Sequence, residues 1–331
     1  MKRSLFAVLF ALLAPVAAHA AEYKSSFGFK LALSDDWLVV SPENVSRQYA
    51  NRTLASLNMT KVDSATARDI LARVKTGKVE FYFEKKYSVK GFTNNISTQV
   101  MAGGDIPTPD NVKAFCPTLP AQLAKVQGAP VQVKVCRFAQ SSGIPYVVVE
   151  YSVPSRGITI VQHQIPFLPN SDFQVIGGAN DAGLDTVRAA TDDITAAATQ
   201  YVAAMWNARV PDAREQTALA QDAMHHFALA VNARDFTGFH DYIAKAWRRD
   251  ITVAQLDNAY RGFMDSRINL LPLDHIAPRV EQEPQQRKNG TFFIKGYYPI
   301  KSAMVTFKFG YMYEPPNWKL VLANIHVKSA P

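Results

Sequence analysis

Apolar residues alternate with small or polar ones from Phe27 to Leu33, the two-residue period of a strand with one buried face. Ser34-Asp35-Asp36 turns the chain into a second apolar segment, Trp37 to Val40, and Pro42 suits the first turn of a helix running towards Leu54. Ser64 to Val74 predicts another helix, stopped by Gly77. Val79, Phe81 and Phe83 alternate with Lys78, Glu80, Tyr82 and Glu84, so a strand follows, and Asn95 to Met101 predicts the next. Pro109 to Gln127 has helical content broken by Pro117 and Pro120, hence two short pieces. Val131, Val133 and Val135 mark a strand with Cys136 on its other face. Tyr146 to Val153 is a nearly continuous apolar run, as in a strand covered on both sides. Ile158 to Ile165 is its hairpin partner, and Phe173 to Ile176 a further short strand. Val187, Ile194, Ala198, Tyr201 and Met205 keep one stripe of a long helix.

Pro211 interrupts that helix and Asp212 is placed to cap the next, which sets a domain boundary near residue 210. Leu219, Ala223, Phe227 and Ala230 form the stripe of the following helix. A second is predicted from Phe236 to Trp247, and a third after Thr252. The period then changes to that of strands: Arg279 to Gln286, Phe292 to Tyr298, Val305 to Tyr313, and Trp318 to Val327. Both halves therefore read as α+β: an antiparallel sheet packed with helices over residues 21–210, then helices wrapped by a curved antiparallel sheet over 211–331.

Two resemblances follow from these segments. Phe27-Gly28-Phe29-Lys30-Leu31, Asp35-Asp36-Trp37 and Asn94-Asn95-Ile96-Ser97 resemble the opening strands of PsbP-like secreted domains. That resemblance implies a binding or accessory module with no shared catalytic residues. Gly296-Tyr297-Tyr298-Pro299, Val305-Thr306-Phe307 and Trp318-Lys319-Leu320 resemble the closing strands of the nuclear-transport-factor-two-like superfamily, also called the cystatin-like cone. That second resemblance implies a pocket between sheet and helices. Some members bind proteins or small ligands there, and others, such as ketosteroid isomerase and the polyketide cyclases, do acid–base chemistry.

The first twenty residues change the setting. Lys2 and Arg3, an apolar run from Leu5 to Val16, and Ala18-His19-Ala20 have the layout of a secretory signal, so residues 1–20 are expected to be removed and the mature protein to begin at Ala21. The run is shorter than the roughly 20 residues a permanent span needs. A periplasmic or secreted protein with no membrane span after cleavage is the expectation. In such a compartment the chain's 2 cysteines, Cys116 and Cys136, are expected to form a disulfide. The net charge of +8 is spread over both halves without a basic tail, which does not favour a nucleic-acid partner.

Candidate chemistry is sparse. On an unbroken last strand, Trp318, Leu320, Leu322, Asn324 and His326 share one face. If that face is internal, Asn324, His326 and Trp318 line a ligand pocket. His326, Asp265 and Tyr297 (or Tyr298) are then the candidate catalytic set of an isomerase, dehydratase or cyclase. His225 and His226 are adjacent and so do not share a helix face. With neither a His-Glu-x-x-His motif nor paired Cys-x-x-Cys, they read as solvated, and no metal or cofactor is expected. Lys245, Arg248 and Arg249 gather at a helix end, where cations suit the dipole. The balance favours a non-catalytic binding or accessory protein of the bacterial envelope, recognising a protein partner or a small apolar ligand. The alternative is a small-molecule enzyme working in the cone.

Overall fold

The computed structural model describes residues 21–48, 64–89, 92–168, 171–281, 290–300 and 303–329. The signal segment, the helix extension to Leu54 and the proposed strand beyond residue 281 lie outside the described residues. The chain is α+β, with antiparallel pairing in each of its sheets.

A hairpin of β1 (Ala21–Lys24) and β2 (Lys30–Leu33) opens it. Then come β3 (Trp37–Val40), α1 (Pro42–Gln48), α2 (Ser64–Lys75), β4 (Val79–Val89) and β5 (Phe92–Ala102). Next are α3 (Pro109–Phe115), a 3-10 turn at Cys116–Thr118, and α4 (Leu119–Gln127). The strands β6 (Gln132–Ser141), β7 (Ile144–Val153), β8 (Ile158–Leu168) and β9 (Ser171–Ala179) lead into α5 (Leu184–Trp206). The seven-stranded sheet runs β3-β4-β5-β9-β8-β7-β6. On one face α5 lays Val187, Ile194 and Val202 against Phe173, Val175 and Ile165, joined by Phe27 and Phe29 from the opening hairpin. On the other face α1 and α2 cover β3 and β4, while α3 and α4 cover β6 and β7.

With α1 and α2 on one face and the opening hairpin on the other, β4 is a strand without a solvent side. Phe81 and Phe83 join one cluster and Tyr82 the other, and Glu80 is fully buried. Its carboxylate accepts from Tyr23 Oη at 2.9 Å, Ser25 Oγ at 2.8 Å, Tyr82 Oη at 2.8 Å and the Ser26 backbone N–H at 2.6 Å. Four donors compensate for the desolvation that an isolated buried charge would suffer. Burial and the adjacent Glu80 both push the Tyr82 hydroxyl well above its ordinary pKa.

Cys116 and Cys136 are bonded, with Cα atoms 5.7 Å apart, tying the turn between α3 and α4 to edge strand β6. The expected position of Cys136, opposite the valines, is corrected here. Val133 pairs with Tyr151 and Val135 with Glu150, so Lys134 is an extra residue and the faces exchange beyond it. Cys136 therefore packs with Val131 and Val133 beneath the helices. Reducing the bridge is expected to lower stability by at most about 3 kcal/mol, the chain-entropy figure for a loop of this size. Denaturant unfolding with and without reductant checks this; identical midpoints would refute it.

The second sheet has the order β10 (Arg279–Val280), β11 (Phe292–Pro299), β12 (Ala303–Glu314), β13 (Asn317–Ser329). Its helices are α6 (Ala213–Ala233), α7 (Thr237–Tyr242), α8 (Lys245–Arg248), α9 (Val253–Ala259) and α10 (Arg261–Asp265). Asp212 caps α6 in a reciprocal box with Glu215, and Thr252 caps α9 in the same way with Gln255. The single helix expected from Phe236 to Trp247 is instead broken in two. Ile243 is extended, and the Ala244 N–H leaves the helix to donate to the Leu320 carbonyl at 2.8 Å. No described helix is long and apolar enough to cross a membrane.

Candidate functional site

The helix-facing side of the second sheet is filled with rings. Phe227 of α6 has Phe236, Phe239, Tyr260 and Phe263 around it at centroid distances of 4.9 to 5.8 Å. Phe292, Phe309, Tyr311 and Leu320 close over them from the strands, each fully buried. Trp318 is part of this packing, edge-on to Phe292 at 4.7 Å.

The other residues expected there are elsewhere. On β13, Leu320 pairs with Tyr311 but Leu322 with Gly310, so Val321 is an extra residue and the strand's faces exchange at that point. Ala323, Ile325 and Val327 consequently face the helices, while Asn324 and His326 are exposed on the outer face. The expected shared face of Trp318 with Asn324 and His326 is thereby corrected. Tyr297 lies half-buried on the same outer face, since its neighbour Tyr298 is the buried one. Register places Tyr297 opposite Thr306, and Thr306 opposite His326. Asp265 is exposed at the end of α10 and joins no described contact with His326 or Tyr297.

The adjacent histidines are partnered rather than merely solvated. His225 Nδ1 lies 2.7 Å from Asp274, and the His226 ring stacks on Tyr242 with centroids 4.0 Å apart. Among the described residues no group of three His, Cys, Asp or Glu side chains is placed to hold a metal ion. The basic cluster is also redistributed. Arg249 is drawn under the first sheet's opening hairpin, its guanidinium 5.2 Å from the Phe27 ring, and burial lowers its pKa against the opposing pull of Glu314 and Asp250. Lys245 too is held below its usual pKa, chiefly by burial.

Arg249 belongs to a seam at which the two sheets' supports meet. Ala244, Ala246 and Met312 pack into the core beneath α5, and Lys78 bridges to Asp250 at 3.0 Å. Gly290 sits against the end of α5 with φ +74; a Cβ there would stand 2.5 Å from the Met205 carbonyl oxygen. Where the seam opens there is a groove of about 260 Å³, just below the roughly 300–1,000 Å³ usual for ligand pockets. Leu168 from the first sheet, Trp247 from α8, and Phe293, Met312 and Leu322 from the second sheet make its walls apolar. Ser171 and Asp250 contribute polar atoms.

Position in sequence gave no signal for this groove, because its walls come from segments up to about 150 residues apart that pattern reading treats separately. A concave, mostly apolar site between packed units with a few polar groups can hold a small apolar molecule or a projecting apolar side chain. Among the described lining residues Asp250 is the one that titrates.

No protein-family model matches the chain, and no curated protein matches it. Among solved structures, cyanobacterial PsbP (CyanoP) from Synechocystis superposes with a TM-score of 0.32 and 11% identity, covering 57% of this chain and 96% of its own. A Pseudomonas aeruginosa protein of unknown function superposes with a TM-score of 0.28 and 15% identity, covering 40% of this chain and 82% of its own. Superpositions this loose assign neither family nor ligand.

Proposed function

We propose that this chain is an exported accessory protein of two domains, residues 21–210 and 211–331, that binds in the groove between them. The occupant is a small apolar ligand or an apolar side chain offered by a partner protein. The observation that carries this reading is the groove itself: an apolar concavity lined from both halves of the chain, beside a second helix–sheet core already filled by Phe227, Phe309 and their neighbours. Export is supported by the signal-like layout of residues 1–20 and by the Cys116–Cys136 bond, which persists in oxidising compartments.

The neutral fluorophore N-phenyl-1-naphthylamine tests the groove. One-to-one saturable enhancement is expected with the native protein and its loss with Leu322→Trp, which places an indole among the groove walls. Non-saturable enhancement, or enhancement unchanged in the variant, would sink the proposal. Separately, N-terminal sequencing of protein recovered from the envelope is expected to begin at Ala21; an intact Met1 would remove the export claim.

A further inference from the structure

A basic strip on the outer face of the second sheet begins beside the groove. Phe293 marks the junction. Its ring lines the groove and lies over Gly310, where a Cβ would meet Phe293 Cε1 at 2.9 Å and Leu322 Cβ at 3.1 Å. The absence of a side chain at Gly310 is thus what lets the ring lie flat across the sheet. On the ring's other flank stands Lys308, its Nζ 5.1 Å from the ring centroid. Two residue pairs further on, the next on the same face, Lys308 lies directly opposite Lys295 on β11 and opposite Asn324 on β13. The next row carries Arg279, Tyr297, Thr306 and His326.

Two lysines facing each other across an antiparallel pair repel and weaken the sheet. Among the described residues neither has a carboxylate within ion-pair distance. Glu281, exposed at the end of β10, gives its backbone N–H to the Lys295 carbonyl but forms no described ion pair with the ammonium. The acidic group inside the groove, Asp250, is already paired with Lys78 at 3.0 Å. Local choices that oppose stability concentrate where a bound group relieves them. An anion held between Lys295 and Lys308 would do so, with the Asn324 amide beside it as a further donor.

We infer that the groove and the strip form one site for a small anionic amphiphile: a single apolar chain lying between Trp247, Phe293 and Leu322, with its carboxylate on Lys295 and Lys308. This rests on the groove reading above and deepens it by naming the ligand class. The order of features along the outer face supports it, since apolar walls give way to paired ammonium groups within two residue pairs. The volume supports one chain or ring and not a large polycyclic body.

Three probes of equal chain length separate the possibilities by calorimetric titration: decanoate, decanol and decyltrimethylammonium. Decanoate is expected to bind one-to-one and at least about tenfold more tightly than decanol, the margin of one hydrogen bond to a charged group. The double variant Lys295→Gln/Lys308→Gln is expected to lose that margin, keep the decanol affinity, and unfold at an equal or higher denaturant midpoint. A merely structural pair of lysines would not produce that combination. Equal affinities for decanoate and decanol, or a preference for the cation, would overturn the anionic assignment while leaving the groove reading intact. A margin that survives in the double variant would overturn the role of the lysines. Failure of both decanoate and decanol to bind would overturn this inference and the groove reading together.

Discussion

Glu80→Ala is expected to lose about 4 kcal/mol of stability or more, a value reserved for broken buried networks. The mutation leaves three hydroxyls and one backbone N–H, buried or part-buried, without their acceptor. Each unsatisfied donor costs about 1–3 kcal/mol, although rearrangement keeps the total below the sum. Glu80→Gln is expected to cost roughly half as much, because Oε1 survives and the hydroxyls facing the new amide can turn to accept from it. Urea unfolding of both variants measures the order. An alanine variant within about 1 kcal/mol of the native protein would show that the carboxylate is dispensable.

The second large effect is pH-dependent and centres on His163 of β8, only 3% exposed. Its Nδ1 lies 2.8 Å from Thr195 Oγ1 on α5, and its Nε2 3.8 Å from Asp192. Tyr146 tilts against the ring at 5.5 Å. Burial first, and the positive charge of Arg137 second, lower the imidazole pKa from 6.5 to about 4. In the unfolded chain the ring takes up a proton as pH falls through about 6.5, whereas in the folded chain it resists until about 4. The unfolded state therefore binds more protons across that window, and folding stability is full above it and falls within it. The expected loss between pH 7 and pH 4 is about 3 kcal/mol from this group. Unfolding free energies measured across that range should show the slope in the native protein and a shallower one in His163→Gln, which retains a polar partner for Thr195. Parallel slopes would place the effect elsewhere.

Much of the architecture was legible from period alone. The helical breaks at Pro117 and Pro120, the cap at Asp212, and the long stripe from Val187 to Met205 each rest on local chemistry that tertiary packing did not override. What pattern reading missed has a common cause. Alternation assigns faces only while the ladder is continuous, and Lys134 and Val321 each interrupt it by one residue. Cys136, Asn324 and His326 all follow such an interruption, so all were placed on the wrong face. The helix break at Ile243 is a long-range effect of the same kind: Ala244 is drawn to the Leu320 carbonyl, 76 positions away in the chain. Glu80 was opaque for another reason. Its donors Tyr23, Ser25 and Ser26 are more than 50 positions distant, and polar residues in a strand ordinarily signal solvent.

Val321 has a consequence for how such a protein changes by descent. Removing that single codon would restore the ladder while keeping every later pairing, so Asn324 and His326 would stay outside and Ile325 and Val327 inside. Substitutions alter the outer chemistry of this sheet one side chain at a time. A one-residue deletion within the continuous ladder beyond Leu322 would instead exchange the strand's exterior from that point on in a single event, leaving its neighbour in the sheet the same. Val321 is therefore the position at which β13 tolerates the loss of one residue, and the regular stretch after it is where the outer face is most sensitive to such a loss.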